Sequence, residues 1–145
     1  MKIAIVVAEF NPEITHGLLS GAQNFFKEEK GISISSDDIL YAPGAFEIPL
    51  IAKKLAETGR FDGIVCLGAV IKGDTAHFEF ISLGATYGLM QSMLLTGVPI
   101  SFGVLTTYND EQAQLRSQSG KENKGREAAE ALWKSISILK KITTP

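Results

Sequence analysis

The sequence contains few of the residues from which disulfides and metal sites are built. Its 145 residues include one cysteine and two histidines. Cys66 has no second cysteine to pair with, and neither a cysteine cluster nor a multi-histidine zinc site can be assembled from this set. We therefore expect a domain that folds without a metal or a disulfide. A lone cysteine also agrees with a reducing, cytoplasmic location.

Long apolar runs and an excess of basic charge are also missing. No stretch approaches the roughly 18–20 apolar residues that span a bilayer. The apolar N-terminus is too short, and too soon followed by Glu9, to be a signal peptide. Lys plus Arg number 14 and Asp plus Glu number 16, so the net charge is −2, whereas nucleic-acid-binding domains usually carry a basic excess. We expect no nucleic-acid partner and no membrane insertion.

The sequence does contain a regular alternation of apolar strands and amphipathic helices, in a chain of the length of one domain, residues 1–145. Apolar runs predict strands at 2–8, 37–42, 63–70 and 98–106. Helical patterns follow at 15–30, 48–59, 78–96, 110–116 and 124–140. No tight hairpin joins two strands, which indicates parallel pairing through right-handed crossovers. The prediction is an α/β fold: a three-layer α/β/α sandwich with a four-stranded parallel sheet in flavodoxin-like order.

The predicted carboxyl ends of the strands collect aromatic and acidic residues. Ligands of open parallel sheets bind outside this edge. Phe10 and Phe46 lie in loops that should meet there, where they could stack on a flat heterocycle or simply anchor the loops in the core. Glu47 could accept hydrogen bonds from ligand hydroxyls, or serve the first turn of the following helix.

A candidate anion-binding loop and a histidine are predicted at the same edge, and two cations lie further along the chain. Residues 73–75 precede a helix N-terminus, where backbone N–H groups can hold an anion, although an ordinary capped loop has the same pattern. His77 could shuttle protons there or cap the start of the helix. Arg116 and Lys124 flank a polar loop and could hold a phosphate, or be solvated helix ends.

Small residues interrupt the predicted helix 78–96. Gly84, Ala85 and Gly88 lower its intrinsic helix stability, by roughly 1 kcal/mol for each glycine. Such residues indicate that another backbone approaches closely, either that of the same domain or that of a second subunit. We favour a contact between subunits.

Taken in order, the segments of this chain resemble the lumazine synthase family nearly end to end. The matching segments are Phe10-Asn11, Pro43-Gly44-Ala45-Phe46-Glu47-Ile48-Pro49, Leu67-Gly68-Ala69-Val70-Ile71-Lys72-Gly73, Thr75-Ala76-His77-Phe78, Gly97-Val98-Pro99, Phe102-Gly103-Val104-Leu105-Thr106-Thr107, Arg116 and Asn123-Lys124-Gly125. Their combination in this order is highly specific. The resemblance implies a cofactor-independent condensation of 5-amino-6-(D-ribitylamino)uracil with 3,4-dihydroxy-2-butanone 4-phosphate, the penultimate step of riboflavin biosynthesis, with no metal.

The resemblance also implies which residues form the site. His77 matches the proton-transfer residue, Phe10 the aromatic that stacks on the pyrimidine, and Arg116 the phosphate clamp. The matching substrate-binding positions are Phe10 and Asn11, Ala45, Phe46 and Glu47 at the ribityl chain, Ala69, Val70 and Ile71 at the pyrimidine edge, Gly73, Asp74 and Thr75 at the phosphate, and Phe102, Arg116, Lys124 and Glu127 from the adjacent subunit.

The resemblance further implies a homopentamer, which in many members builds a sixty-subunit icosahedral shell that can associate with riboflavin synthase. Two departures bear on the shell. The chain starts almost directly at its first predicted strand, without the N-terminal extension often present, and residues 117–123 differ from the loop common in shell formers. We expect the pentamer and leave pentamer and shell as alternatives.

Other classes of function remain open at this point. A passive flavin- or lumazine-binding module could use Phe10 and Phe46, but it would not need His77, Arg116 and Lys124. A shell-only protein would assemble without turnover. A riboflavin synthase of the archaeal type shares the ancestry, but Phe46-Glu47 and the Thr-Ala-His segment favour the lumazine synthase reaction.

Overall fold

Four runs of small and β-branched residues form a parallel sheet in the computed structural model, which describes residues 1–145. In chain order they are β1 (Ile3–Ala8), β2 (Ile39–Ala42), β3 (Gly63–Ile71) and β4 (Ile100–Thr107). They are arranged β2-β1-β3-β4, with every neighbouring pair parallel. β1 and β3 are central and buried on both faces, as their apolar sequences require. The predicted sheet and its flavodoxin-like order are confirmed.

Five helices cover the two faces of this sheet. They are α1 (Pro12–Lys30), α2 (Ile48–Glu57), α3 (His77–Thr96), α4 (Asp110–Ser117) and α5 (Lys124–Thr143). One core forms between the sheet and α1, α4 and α5, and a second between the sheet and α2 and α3. The three-layer α/β/α sandwich is therefore confirmed. None of the helices has the length and apolar character of a membrane span.

The first helix begins earlier than its pattern predicted. α1 starts at Pro12, not at residue 15, because proline is pre-organised for the first helical position. Asn11 precedes it with a φ of 59° and makes no side-chain cap. Its side-chain amide instead donates to the Ala69 carbonyl, 2.9 Å away. This bond ties the loop after β1 to the end of β3.

The small residues of α3 face α2 and the turn before α2 in the same chain. A Cβ on Gly88 would lie 2.8 Å from the Pro49 Cβ, and one on Gly84 would lie 3.7 Å from the Phe46 ring. Ala85 is fully buried in the same core. The expectation of a contact between subunits was wrong for Gly88 and Ala85. They let α3 approach α2 within one chain, whereas a Cβ on Gly84 would make only an ordinary van der Waals contact.

The start of α5 is held against α1 by a similarly close approach. A Cβ on Gly125 would lie 1.9 Å from the Leu18 carbonyl oxygen, and one on Gly21 would lie 2.0 Å from Asn123 Oδ1. Glycine is therefore needed at both positions. The buried Asn123 caps α5 through hydrogen bonds from the Gly125 and Arg126 amides. This packing sets where Lys124 and Glu127 are presented.

Candidate active site

Loops from three strands meet at the carboxyl edge of the sheet. The Glu9 amide donates to the Ala42 carbonyl at 2.7 Å, and the Phe10 amide donates to the Pro43 carbonyl at 3.2 Å. The Asn11 side chain adds the bond to Ala69 described above. The predicted meeting of these loops is confirmed, and they form one continuous surface at this edge.

The two loop aromatics present their rings to solvent. Phe10 is 71% exposed and Phe46 is 64% exposed. The alternative that they anchor the loops in the core is therefore wrong. Exposed rings beside polar groups are free to stack on a planar ligand. Glu47 is also exposed and makes no cap hydrogen bond to α2, so its carboxylate can accept hydrogen bonds from ligand hydroxyls.

The segment between β3 and α3 offers backbone donors. Residues 72–77 are all exposed, and the amides of Gly73, Asp74 and Thr75 have no acceptor within the chain. The His77 amide donates to the Thr75 hydroxyl oxygen at 3.4 Å, and no other side chain caps the start of α3. Unpaired N–H groups at the start of a twenty-residue helix favour an anion. We call residues 73–76 the phosphate loop, after the role that the resemblance implies for residues 73–75.

His77 is the first residue of α3 and its side chain is exposed next to this loop. The imidazole has no hydrogen-bond partner in the chain, whereas the His77 backbone amide donates to the Thr75 hydroxyl oxygen. The side chain therefore does not cap the helix. A side chain that transfers protons to and from a substrate held beside an anion site must be accessible, as the His77 imidazole is.

A second group of predicted residues lies on another surface. A groove of about 530 Å³ between the free side of β4 and α5, which we call the β4 groove, is lined by Phe102, Arg116, Lys124 and Glu127. Phe102 is 46% exposed, and Lys124 pairs with Glu127 at 2.7 Å. Neither the phosphate loop nor Phe10, Phe46 and Glu47 contributes to this groove. One chain therefore carries the predicted site as two separate halves.

The remaining reactive groups do not add chemistry to either half. Burial raises the pKa of the Cys66 thiol far above its usual range, so it stays protonated and is not a nucleophile. No three His, Cys, Asp or Glu side chains are grouped closely enough to hold a metal ion.

Sequence reasoning missed Tyr108, which lies beside the phosphate loop. Its ring is 6.2 Å from that of Phe78 and its centroid is 5.7 Å from Lys72 Nζ. Tyr108 directly follows β4, so its position at the carboxyl edge was the available signal.

Comparison with known proteins identifies the family of the chain. The family model of 6,7-dimethyl-8-ribityllumazine synthase matches residues 1–140. The chain is 59% identical to 6,7-dimethyl-8-ribityllumazine synthase 1 of Caulobacter vibrioides, over 97% of this chain and 92% of the relative. It is 50% identical to the synthase of Leuconostoc mesenteroides, over 97% and 90%, and 48% identical to that of Deinococcus deserti, over 98% and 90%. The chain belongs to the 6,7-dimethyl-8-ribityllumazine synthase family.

Proposed function

We propose that the chain catalyses the reaction for which its family is named. 5-Amino-6-(D-ribitylamino)uracil condenses with 3,4-dihydroxy-2-butanone 4-phosphate to 6,7-dimethyl-8-ribityllumazine, with release of phosphate and water. The observation that carries this proposal is the placement of exposed aromatics, an unpaired carboxylate, free loop amides and His77 around one edge of the sheet. That set meets the needs of a planar pyrimidine, a polyol chain and a phosphate.

Each chemical step has a group to serve it. The uracil amine attacks the ketone, and loss of water from the adduct gives an imine. Proton loss from the hydroxyl-bearing carbon next to the imine expels phosphate and leaves an enol, which tautomerises to a ketone. Attack of the ribityl-bearing nitrogen on this ketone closes the ring with loss of a second water. We assign the proton transfers to His77, ring stacking to Phe10, hydroxyl binding to Glu47 and phosphate binding to the phosphate loop. Both reactants are intrinsically reactive, so orientation supplies much of the acceleration.

We assign the second half of the site to a neighbouring subunit. Arg116 carries a planar cationic fork suited to phosphate, yet it lines the β4 groove with Phe102 and Lys124 and not the phosphate loop. A neighbour placed with its groove against this chain's carboxyl edge would complete the set. This supports a homo-oligomer in which each site spans two chains, and a ring of five is the form that the resemblance implies.

An apolar stripe on α3 supports the same assembly. The side chains of Phe80, Leu83, Tyr87, Met90 and Leu94 recur at helical spacing and are each about half to three-quarters exposed. Contiguous apolar surface of this kind marks an interaction site. We propose that copies of α3 pack against one another through it.

The reaction is tested by mixing the purified protein with both substrates and following lumazine absorbance and fluorescence against a protein-free blank. Formation well above the blank supports the synthase. Formation no faster than the blank, from folded and oligomeric protein, overturns the proposal. Tight binding of a lumazine without turnover would then favour the passive binding module.

Replacing His77 with alanine is expected to slow the enzyme without abolishing it. A positioned proton carrier contributes about 10²–10⁴-fold, while orientation by the rest of the site is retained. Steady-state kcat should fall within that range and stay above the blank. His16 is exposed on α1 and lines a different groove, so His16→Ala serves as the matched control with unchanged kcat. An unchanged kcat for His77→Ala would remove it from the mechanism.

Placing a charge in the α3 stripe is expected to break the assembly. Leu83 is 70% exposed, so Leu83→Glu should leave the monomer folded, as circular dichroism would show. Native mass spectrometry should report a monomer, since burial of an unpaired carboxylate at an interface is costly. The condensation assay should find this monomer inactive. Ile142→Glu, at a 72% exposed position near the end of α5, is the control. An intact oligomer in Leu83→Glu would contradict the interface.

Native mass spectrometry of the unsubstituted protein tests the proposed oligomeric state. A homopentamer in the cytoplasm is the proposed form. A sixty-subunit particle would indicate the shell, and co-purification with riboflavin synthase would indicate that partner.

A further inference from the structure

The phosphate loop has few contacts of its own. A Cβ placed on Gly73 would meet nothing within 4 Å, and the loop residues are all exposed. The amides of residues 73–75 have no acceptor in the chain. The position of the loop is therefore set by the residues at its two ends.

Tyr108 contacts the residues at both ends. Before the loop, Lys72 places its ammonium 5.7 Å from the centroid of the Tyr108 ring. After the loop, the Phe78 ring lies 6.2 Å from that of Tyr108, tilted by 45°. Both separations fall within the range of attractive cation–π and aromatic contacts. One side chain from the end of β4 thus touches both ends of the loop.

Two further contacts keep these groups in place. Lys72 Nζ is 3.4 Å from Glu79 Oε1 in the first turn of α3, and the Lys72 amide donates to the Thr107 carbonyl at 2.9 Å. The Tyr108 amide donates to Gln112 Oε1 at 2.9 Å, which fixes Tyr108 against α4. Its hydroxyl makes no hydrogen bond in the chain. The ring, and not the hydroxyl, therefore provides the contacts to the loop.

We propose that Tyr108 is a positioning residue that holds the phosphate loop in its binding geometry through ring contacts with Lys72 and Phe78. The inference rests on the proposed function, because it assigns Tyr108 to the affinity for the phosphate-bearing substrate. The role assigned to Tyr108 is exerted through Lys72 and Phe78. Losing its ring loosens the alignment of the loop amides without removing any of them.

The test compares Tyr108→Ala with Tyr108→Phe in the full chain. Tyr108→Ala should raise KM for the butanone phosphate about tenfold, the size expected when two weak ring contacts are lost together. KM for the pyrimidine should not change. Tyr108→Phe keeps the ring and should behave like the unsubstituted protein. Because Tyr108 is 69% exposed, both variants should keep the melting temperature.

Titration with inorganic phosphate, followed by calorimetry, gives a readout that does not depend on turnover. Affinity should fall in Tyr108→Ala and be restored in Tyr108→Phe. Equal phosphate affinity and equal KM in all three proteins would overturn the positioning role. A loss in Tyr108→Phe as large as in Tyr108→Ala would also overturn it, by assigning the effect to the hydroxyl. If the unsubstituted protein lacks condensation activity, the proposed function fails, which is a separate result.

Discussion

Arg116→Ala is expected to lower kcat/KM for the butanone phosphate by about 10²-fold or more, since it removes a charge-assisted partner of the phosphate. The side chain is exposed at the end of α4, and its Nη1 donates only to the Gln112 carbonyl of the same helix, at 3.1 Å. Its removal should therefore cost little stability. The loss should include both a higher KM and a lower kcat, because phosphate binding and phosphate departure both depend on this charge.

Initial rates at varied butanone phosphate measure this effect. Arg116→Lys keeps the charge but loses the planar fork, so an intermediate value is expected. Lys121→Ala removes a nearby exposed cation that does not line the β4 groove, and it should leave the rate unchanged. Normal turnover and normal phosphate affinity in Arg116→Ala would show that the assignment of this residue is wrong.

Mixing two impaired variants tests whether each site spans two chains. Arg116→Ala keeps a complete carboxyl edge, and His77→Ala keeps a complete β4 groove. After dissociation and reassembly as an equal mixture, about a quarter of the sites in a ring combine the intact half of each. Recovered activity near that fraction is expected. Activity equal to the mean of the two parents would place the whole site within one chain.

Asn123→Ala is expected to be the most destabilising single polar substitution in this fold. Asn123 is 2% exposed, and its amide donates to the carbonyls of Gly17, Ser117 and Gln118 at 2.9–3.1 Å. Its Oδ1 also caps α5. Loss of the cap costs about 1 kcal/mol and the stranded carbonyls about 1–3 kcal/mol more. The melting temperature should fall by several degrees, about 2–8 °C per kcal/mol.

Thermal unfolding at fixed protein concentration makes this measurement, because assembly makes the melting temperature concentration-dependent. Asn109→Ala is the matched control: Asn109 also caps a helix, through a 2.8 Å bond from the Gln112 amide, but it is exposed. It should cost only about 1 kcal/mol. Asn123→Asp keeps the capping oxygen, but it loses the N–H donors and turns a buried carboxylate oxygen towards the carbonyls. It should therefore be no more stable than the alanine variant. If Asn123→Ala lowered the melting temperature no more than Asn109→Ala does, the role assigned to the buried Asn123 amide would be wrong.

The amino-acid sequence by itself determined the order of elements, because their signals are local. β1 and β3 are continuous apolar runs, and Gly31 and Gly97 end α1 and α3 in left-handed conformations. Parallel pairing followed from the absence of hairpins. The edge that carries Phe10, Phe46 and His77 followed in turn, since parallel strands share a carboxyl end. The family resemblance supplied the residue roles that spacing could not.

The tertiary structure alone decided which of these residues lie together. Arg116 and Lys124 are far from Phe10 in sequence. Packing of α4 on α1 at Gly17 and Ser117, and of α5 on α1 at Gly21 and Gly125, places them in the β4 groove. The sequence does not indicate which neighbouring element the small residues of α3 face. The structure shows that Gly88 approaches α2. Such choices depend on packing between distant segments, and a local pattern contains no information about its partner.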